Sequence, residues 1–467
     1  MRVPMKQAAS SNIEAFGGCP PRSRLQTWLS LADSNASVIF LVIAGALWLA
    51  SALGLDPTNV PQLQDYQHFH LPSVRTFASR PLGDALSSYR AAPFPLFYIL
   101  GGELYRATES EAVLRIWTVA MAFGTLAFVF ALARRAAGLR STAAPLVVAL
   151  AITSPYFRGQ SVYANTDILA LLCAFGALYS FAERPPRFPS IRACVALSLA
   201  CCAVYTRQFY VFLPVYLWLR MWANATWPER IGSTLFCAVL AAPAIGLVLW
   251  WGQITPRGFS QHAAAPSLQH SVPSVLLLLA FYATPLAVVT AWKYRAAFVK
   301  DFRQIRLRLM MAPVVALGAY LMFAKNGIPD VVGGGMPLHF LRALPFPAYT
   351  AAVLPGLGVI IGGSYLAYIV HQNPLHNSII VLVALCFFPT GILYQRYFDP
   401  VMPLLFIIVV ASREVSTPTS RQLVIVAILF ELMVTAVGAS HYQAMFRTSA
   451  LAPTASPGPQ VSNAVSR

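Results

Sequence analysis

The chain is divided into apolar runs of a length that water-soluble folds rarely use. Residues 36–54, 112–133, 142–157, 166–182, 193–206, 208–222, 232–251, 273–292, 309–324, 346–370, 377–394, 398–412 and 421–440 are each dominated by aliphatic and aromatic side chains. A helix needs about 20 apolar residues to cross roughly 30 Å of hydrocarbon, fewer where neighbouring helices shield it. Lipid leaves no water for the backbone, so only helices and closed barrels span it. The pattern therefore predicts an all-α polytopic membrane protein, a bundle of about 11–13 transmembrane helices. Pro214, Pro243, Pro285, Pro313 and Pro389 fall inside these runs, where packed neighbours can satisfy the freed carbonyls.

Composition agrees. Hydrophobic residues make up 57% of the chain and charged residues only 10%, against about 25% charged in a soluble domain. This excludes a soluble globular enzyme, a disordered chain and a disulfide scaffold. The net charge is +17, but Lys and Arg are scattered singly or in pairs. A nucleic-acid binder gathers them on one face, so no nucleic-acid partner is expected. Of the seven cysteines, Cys173, Cys194, Cys201, Cys202, Cys237 and Cys386 lie inside apolar runs, form no CxxC or CxxH pair and are read as small buried apolar side chains.

With the N-terminus inside, the basic excess sorts by side. Arg134, Arg135, Arg140, Arg184, Arg187, Arg192, the stretch Lys293–Arg308, Arg413 and Arg421 fall in inner loops. Asp56, Asp65, Asp84, Glu103, Glu109, Asp167, Asp330 and Asp399 fall outside. Such segregation is what the positive-inside rule demands and needs no ligand. The sequons at Asn35 and Asn224 lie inside on this topology and read as chance matches. Residues 1–35 read as a cytosolic tail and 446–467, rich in Pro, Ser and Ala, as a disordered one. The stretch 36–445 is the membrane domain.

The connection 56–110 is the most informative segment. More than fifty residues between two spans exceeds any simple turn, and loops of that length are commonly functional. Asp65 lies there beside His68 and His70, and a carboxylate next to imidazoles can act as a general base on a hydroxyl. The bland alternative is an ion pair of Asp65 with Arg75 or Arg90. Asp65, His68 and His70 form only a weak metal signal, and no metal or cofactor is expected.

Other polar residues stand at predicted outer helix ends. Asp167, in Asn165-Thr166-Asp167, either caps a helix or faces a site. Arg207-Gln208 interrupts an apolar stretch, where a guanidinium needs a partner or water; pairing with Asp167 is the structural alternative. Arg257 and His262 lie in the loop 252–272, and Arg396-Tyr397 opens a late span, with Asp399 as a structural partner. One acid and several arginines on one membrane face match what transfer from a lipid-phosphate sugar requires. Arginine forks bind the leaving phosphate, a carboxylate takes the acceptor proton, and apolar spans hold the lipid tail.

These motifs resemble those of the multi-spanning GT-C glycosyltransferases, most closely the dolichyl-phosphate-glucose-dependent α-1,2-glucosyltransferases. Phe69-His70-Leu71-Pro72 after Asp65 resembles the family's acidic pair followed by an aromatic-His-aliphatic-Pro run. Asn165-Thr166-Asp167 resembles its Tyr-Thr-Asp, Arg207-Gln208 its Arg-Gln, and Arg396-Tyr397-Phe398 with Pro400 its Arg-Tyr-Phe. The loop around Arg257–His262 is a weaker echo. Aligned through His70 and Pro72, the family's acidic pair falls on Tyr66 and Gln67, just after Asp65.

The resemblance implies a GT-C-like bundle with a long first outer loop. It implies inverting transfer of a hexose, glucose in the family, from a polyprenyl- or dolichyl-phosphate donor to a glycan or lipid-linked acceptor. Asp65 is then the base. His68, His70, Arg90, Asp167, Arg207, Gln208, Arg257, His262, Arg396 and Tyr397 are the substrate-binding set. The partners are that donor, that acceptor and membrane lipids. The membrane is endoplasmic reticulum or bacterial inner membrane, with the site on the lumenal or periplasmic side. The competing expectation is a transporter or flippase for a lipid-linked or amphipathic substrate. The absence of visible repeat symmetry counts against it.

Overall fold

The computed structural model describes residues 24–55, 60–89, 91–135, 144–181, 186–256, 259, 268–293, 370, 373–388, 398–399 and 401–405. Among them every regular element is helical. The chain runs through α1 (Arg24–Ala52), α2 (Val60–Asp65), a π turn (Tyr66–His70), α3 (Leu71–Ser79), α4 (Leu82–Ser88), α5 (Leu96–Thr108) and α6 (Glu111–Arg135). It continues through α7 (Ala144–Thr153), α8 (Pro155–Val162), α9 (Thr166–Phe181), α10 (Ile191–Thr206), a 3₁₀ turn (Gln208–Val211) and α11 (Phe212–Trp222). Then come α12 (Trp227–Trp251), α13 (Leu268–Lys293), α14 (Pro374–Phe387) and α15 (Val401–Leu405). The expected spans 309–324 and 421–440, nearly all of 346–370, and the tail 446–467 lie outside the described residues. The first helix starts at Arg24, so residues 24–35, expected in the tail, are helical.

Among the described residues, α6 and α12 are each long and apolar enough to cross a membrane. The pair α8–α9 makes a third candidate only as one broken span, bent by 110°. Of the apolar window, 39% is buried in α6 but only 6% in α12. Val239, Leu235 and Leu249 of α12 are 69%, 61% and 76% exposed. An apolar surface that continuous is costly in water and costs nothing against lipid. The mass of α12 thus faces outward, while α9 is buried along nearly its whole length.

Side-chain contacts set the directions of the helices. Gly124 of α6 lies against Leu172, and Gly176 of α9 lies against Phe128. Arg135 donates to the Tyr179 hydroxyl at 2.7 Å. Residue numbers rise together, so α6 and α9 are parallel. Against α10 they fall together: Gly176 meets Leu199, and Asp167 meets Arg207, so α10 returns antiparallel. In α12, Gly232 meets Phe188, and the Tyr205 hydroxyl donates to the Leu240 carbonyl. That aligns α12 with α10.

One end of the bundle therefore collects the ends of α10 and α12 with the starts of α6, α9 and α11. The other end collects Arg134, Arg135, Arg187, Arg192, Arg220 and Arg230.

The connection expected as a long loop between 56 and 110 is a set of short packed helices. Helices α3 and α5 meet through glycine. A β-carbon on Gly102 would stand 2.7 Å from Phe77 Cβ and 3.0 Å from its carbonyl carbon, neither of which can swing away. Arg106 of α5 donates to the carbonyls of Phe77 and Ala78 at 2.9 and 2.8 Å. It thereby satisfies the orphan acceptors at the end of α3. Gly102→Ala is expected to destabilise the protein by about 1–3 kcal/mol through overpacking. Thermal unfolding of the purified variant checks this; an unchanged transition would mean that α3 and α5 do not pack so closely.

Candidate functional site

The stretch 142–157, expected as one span, breaks after Thr153. Ser154 accepts from the Phe157 N–H at 3.2 Å, and Pro155 takes the first helical position. Proline there loses no bond and presets the helical φ, so a new helix, α8, starts where the apolar run predicts continuity. It ends at Val162, and the chain turns sharply before α9. Asn165 Oδ1 accepts from the Asp167 N–H at 2.9 Å. Asn165 thus serves the α9 N-terminus, and the Asp167 carboxylate is turned to other partners.

Those partners come from two directions. Gln160 on α8 donates Nε2 to Asp167 Oδ2 at 3.0 Å. Arg207 ends α10 because its backbone is extended, at φ −144 and ψ 113. Its Nη2 donates to the same Oδ2 at 2.6 Å. Asp167 and Arg207 are 6% and 4% exposed. This is the pairing that Asn165-Thr166-Asp167 and Arg207-Gln208 left open as an alternative. The Arg207 guanidinium also lies 5.8 Å from the Phe209 ring centre, within range for a cation–π contact. Burying two charges is stabilising only with geometry of this quality.

The 60–108 helices close over the same end. Gln208 Nε2 donates to the Ala92 carbonyl at 2.8 Å and lies 3.4 Å from the Ile254 carbonyl. Tyr89 and Phe94 pack on Trp251 with ring centres 6.1 and 5.7 Å apart. Gln208 thus ties the connection to the end of α12. The late motif approaches too. Phe398 packs on Phe387 at 4.4 Å, and Phe387 on Phe209 at 5.1 Å, so only the Phe387 ring stands between Phe398 and Phe209, the ring beside Arg207. Asp399 is buried.

His70 is buried, and its Nδ1 is 2.8 Å from the Tyr98 hydroxyl. Burial, with the Arg207 charge adding to it, pushes His70 down to about 3 from the usual 6.5. Burial likewise raises the Tyr98 phenol above its ordinary value. Both groups are therefore neutral at physiological pH. In an unfolded chain His70 takes a proton below about 6.5, whereas the folded protein refuses it until about 3. Stability should fall as pH drops through that window, by about 1.4 kcal/mol per unit at full slope. Unfolding measured between pH 7.5 and 5 should show this loss, and His70→Asn should flatten it. An unchanged acid slope in that variant would refute the assignment.

Asp65 closes α2, half-buried, with the π turn directly after it. The turn is marked by the Leu71 N–H bonding to the Tyr66 carbonyl, five residues back. Tyr66, where the family's acid would align, is buried and donates to Glu111 Oε2 at 3.2 Å. Arg75, offered above as a partner for Asp65, pairs with Glu111 at 2.6 Å. His68 is exposed and His70 buried, which sets the two imidazoles in different surroundings. Among the described residues, no three His, Cys, Asp or Glu side chains are grouped to hold a metal ion. Arg90, Arg257, His262, Arg396 and Tyr397 lie outside the described residues.

The structure thus brings together Asp167, Arg207, Gln208 and His70 of the expected set, and adds Gln160, Asn165 and Tyr98. Ser154-Pro155 near the end of an apolar run, with Gln160-Ser161 just beyond it, was the available signal for α8. No family model matches the chain, and no curated protein or solved structure matches it either.

Proposed function

We propose that the chain is an integral-membrane glycosyltransferase that moves a hexose from a polyprenyl- or dolichyl-phosphate sugar to a glycan or lipid-linked acceptor. The observation that carries this reading is the buried Asp167–Arg207 pair beside neutral His70 and Tyr98, under the helices of the 60–108 connection. A guanidinium held rigid at a membrane-protein helix end is a preorganised partner for a phosphate. Exposed apolar helices nearby, α12 above all, offer a surface for a prenyl tail.

In this reading the acceptor hydroxyl gives its proton to Asp65, and its oxygen attacks the anomeric carbon. The bond from that carbon to the phosphate oxygen breaks on the opposite face. The electron pair leaves with the lipid phosphate, and the configuration inverts. Arg207 already carries one carboxylate, so a dianionic leaving group calls for further cations, and Arg257 and Arg396 fill that role. Asp167 and Gln160 hold Arg207 in place, and His70 and Tyr98 orient the sugar as neutral hydrogen-bonding groups.

The π turn supports Asp65 as the base. An i+5 bond absorbs one residue more per turn than an α-helix does, and such turns recur at functional sites. A turn of this kind between Asp65 and His70 is what a displaced acid needs to reach the family's position.

Purified protein incubated with a radiolabelled polyprenyl-phosphate hexose and a lipid-linked acceptor tests the reading. Labelled product supports it. Lipid translocation in vesicles without any product would favour a transporter instead.

A further inference from the structure

At the basic end of the bundle a guanidinium is buried among neutral groups. Arg220, in the last turn of α11, is 6% exposed. Its Nη1 donates to the Tyr216 hydroxyl at 2.8 Å and to His376 Nδ1, on α14, at 2.6 Å. Arginine can only donate, so His376 presents an unprotonated Nδ1 to it. The guanidinium carbon lies 5.7 Å from the Phe181 ring centre and 5.6 Å from that of Tyr216. None of the ion pairs among the described residues involves Arg220.

This arrangement is unlike that of Arg207. Arginine stays charged under all ordinary conditions, and a buried charge is costly unless another charge meets it. Both neutral acceptors meet Arg220 through Nη1. The Nη2–Nε edge, which receives anions in the two-pronged geometry, carries no hydrogen bond among the described residues. That edge matches two oxygens of a single anion.

Its surroundings indicate the source. About 20 Å of helix separates Arg220 from Arg207, so the two guanidinia sit at opposite ends. At the same end of the bundle, on the face of α11 turned to α12, Trp218 and Trp222 pack at 5.9 Å, Trp218 donates to Thr234 of α12 at 3.1 Å, Arg230 lies 4.5 Å over the Trp222 ring, and Trp227 is 65% exposed. Tryptophan mixed with arginine is the signature of a membrane–water interface, where anionic head groups concentrate.

We propose that Arg220, with Tyr216 and His376, forms a phosphate-binding niche filled by the head group of an anionic phospholipid. The proposal does not depend on the glycosyltransferase reading.

The full-length protein in nanodiscs of phosphatidylcholine, with or without phosphatidylglycerol, tests it. Phosphatidylglycerol should raise Tm by several degrees. Arg220→Gln should lose at least half of that rise, with about tenfold weaker apparent lipid affinity. Arg187→Gln, at an exposed arginine of the same end, should keep it. Native mass spectrometry of the unaltered protein from mixed lipid should show phosphatidylglycerol retained over phosphatidylcholine, which needs no variant to fold. A full rise in Arg220→Gln, or equal retention of both lipids, would overturn the niche. If inorganic phosphate in phosphatidylcholine discs gives the whole rise, the lipid source is overturned and a free anion takes its place.

Discussion

If the protein is the proposed glycosyltransferase with Asp65 as its base, an Asp65→Asn protein is expected to lose sugar transfer by about 10²–10⁴-fold, the usual contribution of a positioned general base. The change keeps the shape of the side chain and removes its ability to take a proton. Asp65 is half-buried at the end of a short helix, so the variant should insert and fold. The loss should fall on kcat, with KM for the lipid donor nearly unchanged, because the base acts on the acceptor in the transition state. Initial rates with labelled donor, alongside matching elution profiles of the two proteins, give the comparison. Wild-type transfer by Asp65→Asn would remove Asp65 from the chemistry and place the base at another residue.

The largest effect on stability is expected from breaking the Asp167–Arg207 pair. Asp167→Ala leaves the Arg207 guanidinium buried without its carboxylate and should cost about 3–5 kcal/mol. Arg207→Met strands the carboxylate and should cost a similar amount. Combining Asp167→Leu with Arg207→Met removes both charges at once, and much of the lost stability should return. Unfolding of the single and double variants, read as a double-mutant cycle, gives the coupling between the two positions. The same double variant separates structure from chemistry. If Arg207 binds the leaving phosphate, the refolded double variant stays inactive. A stable double variant with wild-type transfer would show that the pair serves the fold alone.

The helical class was legible in the sequence because the hydrophobic effect acts on runs of residues one helix at a time. The runs at 112–133 and 232–251 lie inside α6 and α12. The run at 142–157 was misread because apolar content does not report a break. Ser154 and Pro155 begin a new helix there through one side-chain bond and one fixed dihedral. The connection 56–110 was expected as a long loop. Its short helices escaped notice because Gly101 and Gly102 encode close packing against α3 rather than any periodicity.

The candidate site divides in the same way. Asp167, Arg207 and His70 could each be singled out from the sequence, since a charged or polar residue within an apolar chain demands a reason. The Asp167–Arg207 pairing was one alternative there, but Gln160 and Tyr98 as partners were not legible. Sequence alone determined that the chain is helical, rich in membrane-length apolar runs and interrupted by a few costly polar groups. Only the tertiary structure decided that Asp167 receives both Arg207 and Gln160, and that His70 meets Tyr98. The reason is physical. Burial preference belongs to single residues and repeats along the chain, whereas the pairing of buried polar groups depends on the 110° bend between α8 and α9 and on the antiparallel return of α10. Those are set by packing between segments far apart in the chain, as where Gln208 meets Ala92, which no local pattern encodes.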